Sequence, residues 1–191
     1  MKKLLALTLG LLFVLSVGFI LSRQPARSLS SESSFSLGRA SWENDLAPAL
    51  RKASLFDPRA ELLAILFSFE RGLTPDDLIN YYYLFGTEAE NRFFAVDPRE
   101  DFSSGEIELS KLNLPFALKP IATEFIKVWP ETALAVANNN GGSDFAQGEF
   151  KTDLLLACPE GGVLTWYLTY RQLEKGLFKL AINASSGTIL R

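Results

Sequence analysis

The chain has 191 residues, 48% of them hydrophobic and 21% charged, with a formal net charge of −3. That is enough for one globular domain or two small ones with ample apolar surface to bury. Four of the 19 basic residues (Lys2, Lys3, Arg23, Arg27) flank an N-terminal apolar stretch, so beyond Ser28 the other 15 face all 22 acids, a net of −7. A body that acidic repels phosphate backbones, which argues against nucleic acid as a partner.

Residue usage narrows the chemistry further. The chain has no histidine and a single cysteine, Cys158. No internal disulfide can form, so the fold rests on its core. Without histidine the usual general base, the usual activator of a serine or cysteine nucleophile and the commonest zinc ligand are missing. Cys158 ends the apolar run Leu154–Cys158 and reads as a small buried hydrophobe rather than a reactive thiol. No phosphate-cradling glycine loop occurs. Asp97-Pro-Arg-Glu-Asp101 has oxygens for calcium but lacks the glycine and ligand spacing of a calcium loop, and reads as a solvated loop. The sequence implies no catalytic residue, no cofactor and no metal.

In chain order, Leu4–Ser22 is free of charge and follows two lysines. As a helix it spans about 28 Å, close to the hydrocarbon thickness of a bilayer. Residues 1–27 are therefore read as a signal anchor or a signal peptide. No good A-x-A cleavage site follows Ile20, which favours an uncleaved single-pass anchor, and the lysines place the N-terminus inside. The expected location is the cell membrane with an extracytoplasmic body, or, after cleavage, the periplasm or exterior. The Ser-rich stretch 28–39 reads as a flexible linker.

The body reads as two copies of one unit, at 40–112 and 113–191. An offset of 85 places Tyr81 on Trp166, Tyr82 on Tyr167, Phe85 on Tyr170 and Phe93 on Phe178. The endings Ser103-Ser-Gly-Glu-Ile107 and Ser185-Ser-Gly-Thr-Ile189 then match after a short gap. Val163–Tyr170 alternates with period two, with Leu164, Trp166, Leu168 and Tyr170 on one face, as a half-buried strand does. Phe178, Leu180 and Ile182 repeat the pattern. Ala40–Ala53 reads as a helix with Trp42, Leu46, Ala49, Leu50 and Ala53 on one side and Pro48 as an awkward interior residue. Pro130 can open a second helix through Asn138, presenting Leu134, Ala135 and Ala137 and stopped by the run 138–142. Ala60–Glu70 fits a helix on propensity, but the repeat assigns it to a strand. Thr74-Pro-Asp-Asp then becomes hairpin loop rather than a helix cap. The expected fold is α+β: a leader followed by two tandem α-β-β-β units, each a helix on a three- or four-stranded antiparallel sheet.

At these residues the second unit resembles the PepSY module of secreted and membrane-anchored bacterial proteins. The resemblance lies in the Ala-rich helix, the Trp166-Tyr167 strand, and Leu177–Asn183 closing on Ala184-Ser-Ser-Gly-Thr-Ile. Asn183 stands where that family has aspartate, and Ser186-Gly187 where it has Thr-Gly; the first unit matches more loosely. The resemblance implies a non-catalytic extracytoplasmic module, in some cases one that inhibits or guides peptidases, and carries no catalytic residue. The expected function is thus an envelope interaction module binding a peptide or protein. The alternatives are a small-molecule or lipid carrier, or a carboxylate-dependent hydrolase using a pair such as Glu149 and Asp153. Tyr82, Trp166 and Tyr167 are the candidate binding surface, since Tyr and Trp combine apolar area with a polar tip.

Overall fold

The structure is a computed structural model that describes residues 39–70, 73, 75–87, 92–108, 114–146, 149–173 and 175–190. The expected leader and the Ser-rich linker up to residue 38 lie outside the described residues, as does Thr74. Among the described residues, no helix is long and apolar enough to cross a membrane.

Helix α1 (Arg39–Ser54) leads into β1 (Glu61–Glu70), β2 (Leu78–Thr87), β3 (Arg92–Asp97) and β4 (Ser103–Ile107). The two-residue β5 (Leu118–Lys119) and helix α2 (Pro130–Ala137) follow, then the short turn α3 (Ser143–Phe145). The chain ends in β6 (Lys151–Pro159), β7 (Thr165–Gln172), β8 (Gly176–Asn183) and β9 (Ile189–Leu190). The α+β class stands as expected, and the stretch from Ala60 to Glu70 is strand from Glu61 on. The sheets are not two: they form one nine-stranded sheet of order β4-β3-β2-β1-β6-β7-β8-β9, with β5 beside β6. The halves join where β1 and β6 run antiparallel from Ala64↔Ala157 to Glu70↔Lys151. The described residues belong to one compact unit.

Alternation decides which face is core. Ile65, Phe67 and Phe69 of β1, Tyr81, Tyr83 and Phe85 of β2, Leu154 and Leu156 of β6, and Trp166, Leu168 and Tyr170 of β7 all point to one side and are buried. Helix α1 covers that side over β2 and β3, and α2 covers it over β7. Trp42 of α1 meets Trp129 at the start of α2 at 5.7 Å between rings, closing the gap between the two helices. Trp166 donates its indole N–H to the carbonyl of Val128 at 2.8 Å, so its one polar atom is satisfied inside the core.

Several positions depart from the sequence pattern. Leu50 is 44% exposed, while Trp42, Ala49 and Ala53 are buried; the inward stripe of α1 is narrower than its apolar residues suggest. Pro48 sits inside α1 without ending it. On α2 the buried residues include Ala133, Leu134 and Ala137, and Ala135 faces solvent. The run 138–142 does stop α2, through Gly141 at φ +103°. Gly142 follows so closely that a Cβ there would lie 2.8 Å from the Ala137 carbonyl oxygen. Cys158 is only half-buried.

The matched positions also shift along the chain. Tyr81, Tyr83 and Phe85 hold the places in β2 that Trp166, Leu168 and Tyr170 hold in β7. In the next strand, however, Phe94 pairs with Phe85 as Phe178 pairs with Tyr170, so Phe94 rather than Phe93 is the counterpart of Phe178. The Ser-Ser-Gly endings are not equivalent at all. Ser103–Ile107 is strand from end to end, whereas Gly187 takes φ +77° in the turn before β9.

Candidate functional site

The face of the sheet opposite the helices is a trough of about 910 Å³. The strand register sets its floor. Tyr82 pairs with Leu66, Leu66 with Leu155, and Leu155 with Tyr167. The row Tyr82–Leu66–Leu155–Tyr167 therefore crosses four adjacent strands and reads the same from either end. With strands about 4.8 Å apart, the two tyrosines stand roughly 14 Å from each other.

The rows on either side differ in chemistry. One runs Asn80–Ser68–Asp153–Thr169–Lys179 and is polar throughout. The other runs Ala95–Leu84–Ala64–Ala157, apolar and mostly small, and becomes polar at Thr165 and Asn183 in the strands beyond. The trough thus has a greasy side, a hydrogen-bonding side and an amphipathic row between them. Within the polar row Ser68 donates to Asp153 at 2.8 Å, and Arg171 donates to the other carboxylate oxygen of Asp153. Both Asp153 oxygens are thereby engaged. Burial raises the hydroxyl pKa of Tyr82 and of Tyr167, so both stay neutral donors over the physiological range.

The three candidate residues separate. Tyr82 and Tyr167 line the trough, but Trp166 points the other way and is 1% exposed in the core; it is not a surface residue. Alternation forces this result, since adjacent residues of one strand cannot share a face. The sequence pattern held that signal already. What pairing with the neighbouring strands adds is Leu66 and Leu155, which no local motif marks.

One described stretch of the chain sits on this face. Leu114 lines the trough, and the ring of Phe116 lies 5.1 Å from that of Tyr167. Beyond it, Ala117 accepts from the Glu160 amide at 3.1 Å, and β5 then pairs with the end of β6.

The structure places the two carboxylates of the expected pair, Glu149 and Asp153, in different recesses. Asp153 faces the trough, while Glu149 lines a recess of about 370 Å³ with Glu70, Phe150 and Leu173, and Arg171 borders both. Asp97 is 3% exposed and both its oxygens accept from Arg99, at 3.1 and 2.7 Å; it is a structural anchor and not a loop ligand in solvent. Asp57 and Arg59 repeat the same Asp-Pro-Arg arrangement. Among the described residues, no group of three or more Asp, Glu, Cys or His side chains is placed to hold a metal ion. No protein-family model, no curated protein and no solved structure matches the chain.

Proposed function

We propose that the protein is a non-catalytic interaction module of the cell envelope, held at the membrane by its N-terminal segment, whose trough binds an extended peptide segment of a partner. The observation that carries this reading is the amphipathic row Tyr82–Leu66–Leu155–Tyr167 with an apolar side and a polar side. An extended peptide has the same character: alternate side chains diverge, and its backbone needs hydrogen-bond partners along one flank. Among the described residues the trough is open rather than enclosed, which suits a segment of a larger partner better than an enclosed lipid.

The same reading includes a tandem origin. Strands β1 to β4 and β6 to β9 run outward from the centre in the same sequence order. The row of the trough has Tyr82 and Tyr167 at equivalent places on either side of the seam. These features support two divergent copies of a PepSY-like unit whose first strands have paired with one another, and modulation of an envelope peptidase is one use such a trough would serve.

The test is selection of a displayed random-peptide library against the full chain in detergent. Peptides that bind and are lost on Tyr167→Asp, with the circular dichroism spectrum unchanged, support the proposal. A library that yields only binders insensitive to substitution at Tyr82, Leu155 and Tyr167 rejects it.

A further inference from the structure

The two tyrosines of the trough are equivalent in register but differ in their ring neighbours among the described residues. Tyr167 carries Phe116 on its ring at 5.1 Å. Tyr82 has no ring neighbour among the described residues, although it faces the same trough at the mirror position of the same row. The chain's own Leu114-Pro115-Phe116-Ala117 stretch thus acts as a ligand already seated at one end. It shows what the tyrosine accepts: a phenylalanine ring in tilted contact, carried by an apolar segment whose Leu114 reaches the trough two residues earlier.

We propose that Tyr82 is the recognition site for an aromatic residue of the partner, received as Phe116 is received by Tyr167. The occupant is an uncharged segment of the form apolar-x-aromatic. This rests on the peptide-binding reading above and narrows it to one residue and one ligand chemistry. The surroundings of Tyr82 suit such a segment. Leu84 and Ala95 supply a low apolar floor on one flank, and Ser68 and Asn80 supply polar groups on the other. An aromatic pair of this kind adds to the area it buries, so removing the ring weakens binding by about fivefold or more.

The chain has five tyrosines, so labelling their rings with carbon-13 gives a spectrum simple enough to assign, with Tyr82→Phe identifying one signal. The probe is acetyl-Leu-Pro-Phe-Ala-amide, titrated into the full chain in detergent. The Tyr82 resonance is expected to move with the Tyr167 resonance still. With Phe116→Ala both are expected to move, because the covered ring is freed. A peptide with alanine in place of phenylalanine is expected to bind at least about fivefold more weakly.

A Tyr82 signal that stays still at saturating peptide overturns the proposal, whatever Tyr167 does. So does a Tyr82 signal that moves with protein concentration alone, since the occupant is then a second copy of this chain. Library peptides that bind the trough without an aromatic residue defeat this inference and leave the wider reading standing. A library without trough binders defeats the wider reading itself.

Discussion

Asp45, on the sheet-facing side of α1, lies within 3.4 Å of the Tyr81 hydroxyl. Tyr81 in turn meets the Tyr83 hydroxyl at 2.5 Å, and Tyr83 donates to the Trp42 carbonyl at 2.8 Å. Burial holds the Asp45 carboxyl above its ordinary value of 3.8, with the Tyr81 hydrogen bond pulling the other way. The folded state therefore binds the Asp45 proton more tightly than the unfolded chain does. Its contribution to stability is full below the unfolded value of 3.8 and is lost as pH rises through the folded one. Asp57 has the opposite sign, because Arg59 holds its carboxyl below the ordinary value, and its contribution disappears on acidification. Urea midpoints measured from pH 3 to pH 7 are expected to fall less with rising pH in Asp45→Asn than in the wild type. An identical slope in both proteins would mean that Asp45 ionises without cost in the folded state.

Strand β2 is irregular near its start: Ser68 pairs with Asn80 but Phe69 with Leu78, leaving Ile79 as an extra residue. A bulge leaves carbonyls out of the ladder, and here Arg99 collects them. Its guanidinium donates to the Leu78 carbonyl at 3.0 Å and the Ile79 carbonyl at 3.1 Å while holding Asp97 in a two-point pair. The Asp97 side chain keeps 4% of its exposure and that of Arg99 keeps 28%, so the pair lies largely out of water. Arg99→Leu leaves the buried Asp97 carboxylate with only the residue-99 backbone N–H and two carbonyls without their guanidinium donor, and is expected to cost about 3 kcal/mol. Arg99→Leu combined with Asp97→Asn should recover part of that loss, and chemical denaturation of the three proteins gives the coupling. Full additivity of the two substitutions would remove Arg99 as the keeper of the bulge.

Local pattern foretold some of these elements and not others. Period two marked Leu164, Trp166, Leu168 and Tyr170 as one face, and all of them are buried. It also placed Trp166 and Tyr167 on opposite faces, which already separates the core residue from the surface one. The bulges were not legible, because an extra residue leaves the composition of a strand unchanged and shows only in its partners. The slip of Phe93 against Phe178 has a different source: Phe85 pairs with Phe94 nine positions on, whereas Tyr170 pairs with Phe178 eight positions on, so the first hairpin is one residue longer. The Ser-Ser-Gly endings misled for a related reason. The same three residues serve as a turn at 185–187 and as an edge strand at 103–105, and whether a neighbouring strand lies alongside decides between these uses.

The pairing of β1 with β6 unites residues some 85 positions apart along the chain, and no local signal announces it. Its consequences reach the whole body. Leu154 is fully buried, pairs with Phe67 across the seam and with Leu168 on its other side, and belongs to the one core that both helices cover. A molecule built of two independent sheets would lose only one half when such a residue is cut back. A single sheet with a single core has no boundary at which unfolding can stop. Leu154→Ala is therefore expected to cost about 2–5 kcal/mol, the range for truncating a leucine in a packed interior, and to weaken β2 and β7 together. Native-state hydrogen exchange reads this directly, since amides that open only in global unfolding lose protection by the full amount of the destabilisation. The Tyr83 and Leu168 amides are expected to lose equal protection. Accelerated exchange at Leu168 with Tyr83 unchanged would divide the sheet into separate units. The trough, whose floor spans the seam from Tyr82 to Tyr167, would then lack the rigid support that a preorganised binding surface requires.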